Sequence, residues 1–154
     1  MALRNIRFEN DLLLRKKSRE VKKIDEKILD LLNDMREVLE IKHGWGIAAP
    51  QIGVLKKIFL ALDNNNNVIE IINPIVLEKN GSQKLLESCL SVRNASGVVE
   101  RPERMKIKCL DRNGNETIID GDQRLARILS HEFDHLEGIL FIDKIINESL
   151  DVKK

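Results

Sequence analysis

The stretch Asp122-Gln-Arg-Leu-Ala-Arg-Ile-Leu-Ser-His-Glu-Phe-Asp-His-Leu-Glu137 reads as one helix, stopped by Gly138. Near its end stands His131-Glu132-Phe133-Asp134-His135, a His-Glu-x-x-His sequence. Residues four apart lie on one helical face, so both imidazoles can reach a single cation. Glu132 sits about 100° round the helix, able to address water at that cation without ligating it. Two of the chain's three histidines are spent here, which argues for a metal centre over a chance pair of surface histidines.

Upstream the chain alternates like β-structure. Met105-Lys-Ile-Lys-Cys-Leu110 has the period of a half-buried strand, and Asn113-Gly114 supplies a tight turn into Glu116-Thr-Ile-Ile119. Lys57–Leu62 and Val68–Ile72 are apolar runs on either side of Asp63-Asn-Asn-Asn-Asn67, a hairpin pattern, and Asn73-Pro74 is expected to break the second strand. Further upstream, Ile24, Ile28, Leu31, Leu32, Met35, Val38 and Leu39 form one face of an amphipathic helix. Asp25 is its expected N-cap, and Gly44 its end. With no repeats and no linker, residues 1–154 make one α+β domain in the order helix, antiparallel strands, helix.

Composition is ordinary for a soluble globular protein. Hydrophobic residues are 42% and charged residues 33%, and the net charge of +1 implies no general attraction to nucleic acid or acidic membranes, while leaving a local basic patch open. The charged amino terminus is unlike a signal peptide, and no apolar run approaches the ~20 residues of a membrane span. Without export, Cys89 and Cys109 are expected to stay reduced, and the expected compartment is the cytoplasm.

A catalytic metal needs a third protein ligand and an open position. His43, at a helix end, reads as a capping residue. Cys109, inside an alternating strand, reads as a small buried residue. Cys89 lies in Leu85-Leu-Glu-Ser-Cys-Leu-Ser-Val92 and is only weakly favoured over Cys109 by the residues themselves.

Three segments resemble the motifs of the peptide deformylase family, in order and in spacing. Gly44-Trp-Gly-Ile-Ala-Ala-Pro-Gln51 is similar to Gly-x-Gly-x-Ala-Ala-x-Gln. Glu87-Ser-Cys-Leu-Ser91 is similar to Glu-Gly-Cys-Leu-Ser, and His131–His135 with Leu136-Glu-Gly138 is the third. Matching flanks extend the likeness over nearly the whole chain: Asp11–Lys17, Asn73-Pro74 and Phe141-Ile-Asp143. The resemblance implies antiparallel β-sheets packed around a central helix that bears the His-Glu-x-x-His motif. It implies Cys89, His131 and His135 as ligands of one divalent metal ion, typically iron(II), with nickel, cobalt or zinc able to substitute. The reaction it implies is hydrolysis of the N-formyl group from formylmethionyl nascent polypeptides, with release of formate. Glu132 would shuttle the proton, while the Gln51 side chain and the Leu90 backbone N–H would stabilise the developing oxyanion. Gly44, Trp45, Gly46, Ile47, Ser88, Arg124 and Ile128 would line the substrate site. The expected partners are a formylated nascent peptide and, transiently, the ribosome. No membrane and no stable nucleic-acid partner is expected, and the protein is expected to be monomeric.

The pattern also departs from the family. Ser88 stands for a glycine, Ser130 for a common glutamine and Arg93 for a frequent proline. Arg124 shares the ligand face by helical projection, where the family usually has an apolar residue, so it either reaches solvent or alters the pocket. Asp134 points away from the ligands, with Arg101 a candidate partner. The chain ends 13 residues after Phe141 and is expected to lack the long C-terminal helix that docks some deformylases on ribosomes. These departures leave an alternative, a deformylase-like paralogue of weak or altered activity that binds metal or formyl-peptides. An unrelated zinc peptidase is opposed by the other two motifs.

Overall fold

The Asp25 carboxylate accepts a hydrogen bond from the Ile28 N–H and starts α1 (Glu26–Lys42) as the sequence suggests. The structure, a computed structural model, describes residues 4–146 and the backbone of 151–152. The helix ends at Lys42, two residues before the glycine expected to stop it. His43 takes the left-handed conformation (φ 52°), and the Gly44 N–H then bonds back to the Leu39 carbonyl.

Five strands form the larger sheet, all antiparallel, in the order β1 (Gly46–Ala48), β2 (Ile58–Leu62), β3 (Val68–Asn80), β6 (Arg104–Leu110), β7 (Glu116–Asp122). A helix covers each of its faces. Ile58 and Leu60 of β2 pack with Ile47, Ile72 and the apolar face of α1. Phe59 and Ala61 turn the other way, with Ile71, Met105, Ile107 and Cys109, onto Leu125, Ala126, Ile128 and Leu129 of α2 (Gln123–Leu136). A strand buried on both faces needs an unbroken apolar run, which is why residues 58–61 do not alternate. The motif helix is therefore central, as expected.

The smaller sheet joins β4 (Gln83–Cys89), β5 (Val92–Arg101) and β8 (Asp151–Val152). Its Val92 and Val99 pack with Leu14, Leu140 and Phe141. Leu90 and Ser91 make the turn between β4 and β5, which carries the second motif to the ligand face of α2.

One expectation is overturned. Asn73-Pro74 does not end a strand, because β3 runs through it for 13 residues. Asn73 adopts φ 53° and the register against β6 jumps between Ile72 and Ile75, a bulge that accommodates proline's missing N–H. The Asn73 side chain fixes the bulge by bonding both the N–H and the carbonyl of Val21 at 2.8 Å. Cys89 and Cys109 are both free. Among the described residues no helix is long and apolar enough to cross a membrane. The extreme amino terminus and most of the tail expected to lack a docking helix lie outside the described residues.

Candidate metal centre

Folding brings three donors together. Cys89 Sγ and one nitrogen from each of His131 and His135 lie within 4.8 Å of one another, with Cys89 Sγ 3.3 Å from His135 Nε2. Cys109, the competing thiol, is in the core between β6 and α2, where burial, reinforced by Asp111, pushes it up to about 11. It is a poor source of thiolate.

A thiolate and two imidazoles suit a borderline divalent cation and leave one coordination position open. The surroundings fit one too. His131 Nδ1 is 2.9 Å from Glu87 Oε1, which fixes the ring and leaves its other nitrogen for a ligand. Burial opposes charge on His131, yet among the chain's own groups Cys89 and Glu87 outweigh it and hold the imidazole up to about 10. Burial and the neighbouring His131 charge push His135 well below its usual value. The pair thus holds positive charge that a metal can supply in place of a proton.

Behind His131 lies a network the sequence reading missed in part. Arg101, only 2% exposed, grips both Glu87 oxygens at 2.9 and 3.0 Å, and reaches Asp134 Oδ2 at 2.7 Å and Ser130 Oγ at 3.2 Å. Burial favours a protonated Glu87, but hydrogen bonds from His131 and Arg101 win and bring it down to about 2. Arg101, a candidate partner of Asp134 from the sequence, does pair with it, and the pair is buried rather than superficial. The unanticipated member is Glu87, whose only signal was its place at the head of the second motif.

Glu132 is 4% exposed, and its Oε1 has no hydrogen-bond partner among the described residues. Burial raises its carboxyl to about 7. Room for it comes from Gly46, where a Cβ would stand 2.7 Å from Glu132 Oε2. Gln51 is oriented on both sides of its amide: Oε1 accepts from the Ala48 N–H at 2.8 Å, and Nε2 donates to Ser91 Oγ at 3.1 Å, with Cys89 Sγ 3.6 Å away.

An open cleft of roughly 390 Å³ reaches these groups. Gly44, Trp45, Gly46, Ser88, Leu90 and Ile128 line it beside Cys89, Gln51, His131 and Glu132. Two expected pocket residues do not. Ile47 lies wholly inside the core beneath α1. Arg124 is half-buried and neither free in solvent nor in the cleft, because its guanidinium bonds the Asp63 carbonyl and Asn66 Oδ1, both at 2.8 Å. It stands about two turns before His131, so a shared helical face carries it to the β2–β3 turn rather than to the ligands. Arg127 is in the cleft instead. Ser88 is exposed with an ordinary negative φ, so its position asks for no glycine.

Comparisons with known proteins agree with this geometry. The family model described as polypeptide deformylase matches residues 3–150. The chain is 51% identical over 148 residues to the peptide deformylase of Alkaliphilus metalliredigens, covering 96% of this chain and 100% of that protein. It is 47% identical to that of Caldicellulosiruptor bescii, covering 95% and 87%. Among solved structures, the peptide deformylase of Thermotoga maritima superposes with a TM-score of 0.91 at 34% identity, covering 95% and 99%. That of Ehrlichia chaffeensis in complex with actinonin gives 0.91 at 36%, covering 96% and 91%.

Proposed function

The chain belongs to the polypeptide deformylase family, and from that premise we propose that it hydrolyses the N-formyl group of formylmethionyl nascent polypeptides and releases formate. The observation that carries the reading is a buried carboxylate with a free oxygen, Glu132, beside a Cys–His–His donor set in an open cleft.

Cys89, His131 and His135 would hold one divalent ion, iron(II) by family resemblance, which when bound supplies a Lewis acid and makes water a nucleophile near neutral pH. Glu132 takes a proton from the attacking water and returns it to the methionine nitrogen as the formyl C–N bond breaks, giving formate and a free amine. Its raised affinity for protons suits both halves of that transfer. As the formyl carbon becomes tetrahedral its oxygen gains charge, and Gln51 Nε2 with the Leu90 N–H donate to it. The amide of Gln51 costs little reorganisation, since Ala48 and Ser91 already hold it. Ile128 and Trp45 offer apolar surface to the methionine side chain. Glu87, tied to Arg101, positions the His131 ring.

The whole chain acts as one catalytic unit, a cytoplasmic monomer that meets nascent chains at the ribosome transiently. The paralogue alternative loses support from Ser88, which is unstrained and at the rim, and from Arg124, which is held away from the reacting groups. The test is formate release from a formyl-Met-Ala peptide by anaerobically purified, iron-loaded protein. Turnover is expected, and its absence across metals and formylated peptides would remove the proposal.

A further inference from the structure

Trp45 is 47% exposed at the mouth of the cleft, and two guanidiniums lie over its indole: Arg124 at 5.2 Å and Arg127 at 5.0 Å from the ring centroid. Among the described residues neither makes an ion pair, whereas Arg36, Arg101, Arg104 and Arg112 each hold a carboxylate. Arg124 spends its hydrogen bonds on neutral oxygens, those of Asp63 and Asn66. Arg127 is half-buried, lines the cleft and makes no hydrogen bond with the described residues. The carboxylates nearest the reaction centre form no ion pair with this rim: Glu87 reaches Arg127 only through its field, its hydrogen bonds being committed to Arg101 and His131. A partly desolvated guanidinium without an anion is costly, and a stacked planar fork is already arranged for a carboxylate.

We propose that the Trp45–Arg124–Arg127 rim is a specificity site for an acidic side chain of the formylated peptide, within the two residues that follow formylmethionine. This rests on the deformylase reading. Arg127, which lines the cleft, makes the direct contact, and Arg124, pinned to the β2–β3 turn outside the cleft, lies over the same indole and adds positive field. The C-terminal carboxylate of a short peptide has the same chemistry, so the test uses peptides amidated at that end.

The measurement is kcat/KM of the metal-loaded protein on formyl-Met-Ala-Ala-amide, formyl-Met-Glu-Ala-amide and formyl-Met-Ala-Glu-amide, at low salt and at about 0.5 M salt. One acidic peptide is expected to exceed the neutral one about fivefold at low salt, an advantage that shrinks at high salt. Arg127→Gln should bring that ratio close to one, and Arg127→Lys should retain part of it. A ratio of one in the parent, or an advantage that survives high salt and Arg127→Gln, overturns the proposal. In the first case turnover of the neutral peptide still upholds the deformylase reading, while no release from any peptide removes both. The salt series on the parent decides the matter even if a variant fails to fold.

Discussion

Replacing Gly46 by alanine tests the placement of Glu132 with the smallest available perturbation, one methyl group. The backbone there has no positive φ, so alanine meets no conformational barrier. Its Cβ would stand 2.7 Å from Glu132 Oε2, 3.0 Å from Glu132 Cγ and 2.9 Å from Ile128 Cγ2. Ordinary contact begins near 3.4 Å, so the carboxylate must retreat by about 0.7 Å, and Ile128 must yield as well. Overpacking of this kind costs about 1–3 kcal/mol. The catalytic effect should be larger, since a misplacement approaching 1 Å costs about 10²-fold when proton transfer depends on the geometry. The cysteine and histidines are not among the atoms displaced, so metal content should stay near that of the parent. The assay is kcat/KM for formate release, with metal analysis and thermal unfolding on the same preparation. A Gly46→Ala protein with parental kcat/KM and full metal would show that the carboxylate is not positioned as described.

Glu87→Gln leaves Arg101 buried without one of its anions and loosens the His131 ring. It should cost about 3 kcal/mol in denaturant unfolding and weaken metal binding about 10–100-fold, and unchanged values for both would dissolve the network. Both imidazoles must be neutral to ligate, and His131 is held protonated up to about 10, so binding displaces a proton. Apparent metal affinity, read by chelator competition, should therefore fall by up to about tenfold per pH unit on acidification through neutrality, and a flat profile would contradict this. Burial favours a neutral Glu70, but hydrogen bonds and charge from Arg112 and Arg36 prevail and lower it below 4.5. A carboxyl with a depressed folded-state value stabilises above its unfolded value and loses that contribution as pH falls below it. Glu70→Gln should thus cost about 2 kcal/mol near neutrality and progressively less below about pH 4, and a pH-independent difference would be against it.

Both helices are legible in the sequence because an apolar stripe of period 3.6 survives whatever packs on it, and Asp25 marks a start that depends on local chemistry alone. The β4–β5 hairpin is not. Leu85 is half-buried, Leu86 is 61% exposed, and the Leu90-Ser91 turn lacks glycine, asparagine or proline, so neither alternation nor turn chemistry announces it. Asn73-Pro74 misleads because proline is a strand breaker locally, while a bulge secured by Asn73 on Val21 is a tertiary fact. In the site, the histidines follow from helical spacing, but the residues alone barely separate Cys89 from Cys109, and only the family motifs pick out the thiol the fold delivers. Glu87 joins Arg101 across 14 residues of hairpin, and Arg101 joins Asp134 across 33, so no local pattern carries the pairing. Arg124 shows the limit of helical projection, which gives azimuth but not what stands opposite each turn.

The central claim is that Glu132 moves the proton while Cys89, His131 and His135 hold the metal. Glu132→Gln keeps the size of the side chain and removes its basicity. Loaded anaerobically with iron(II) beside the parent, it should retain about one metal per chain and lose about 10²–10⁴-fold in kcat for formate release. Parental turnover by that fully loaded variant would contradict the account.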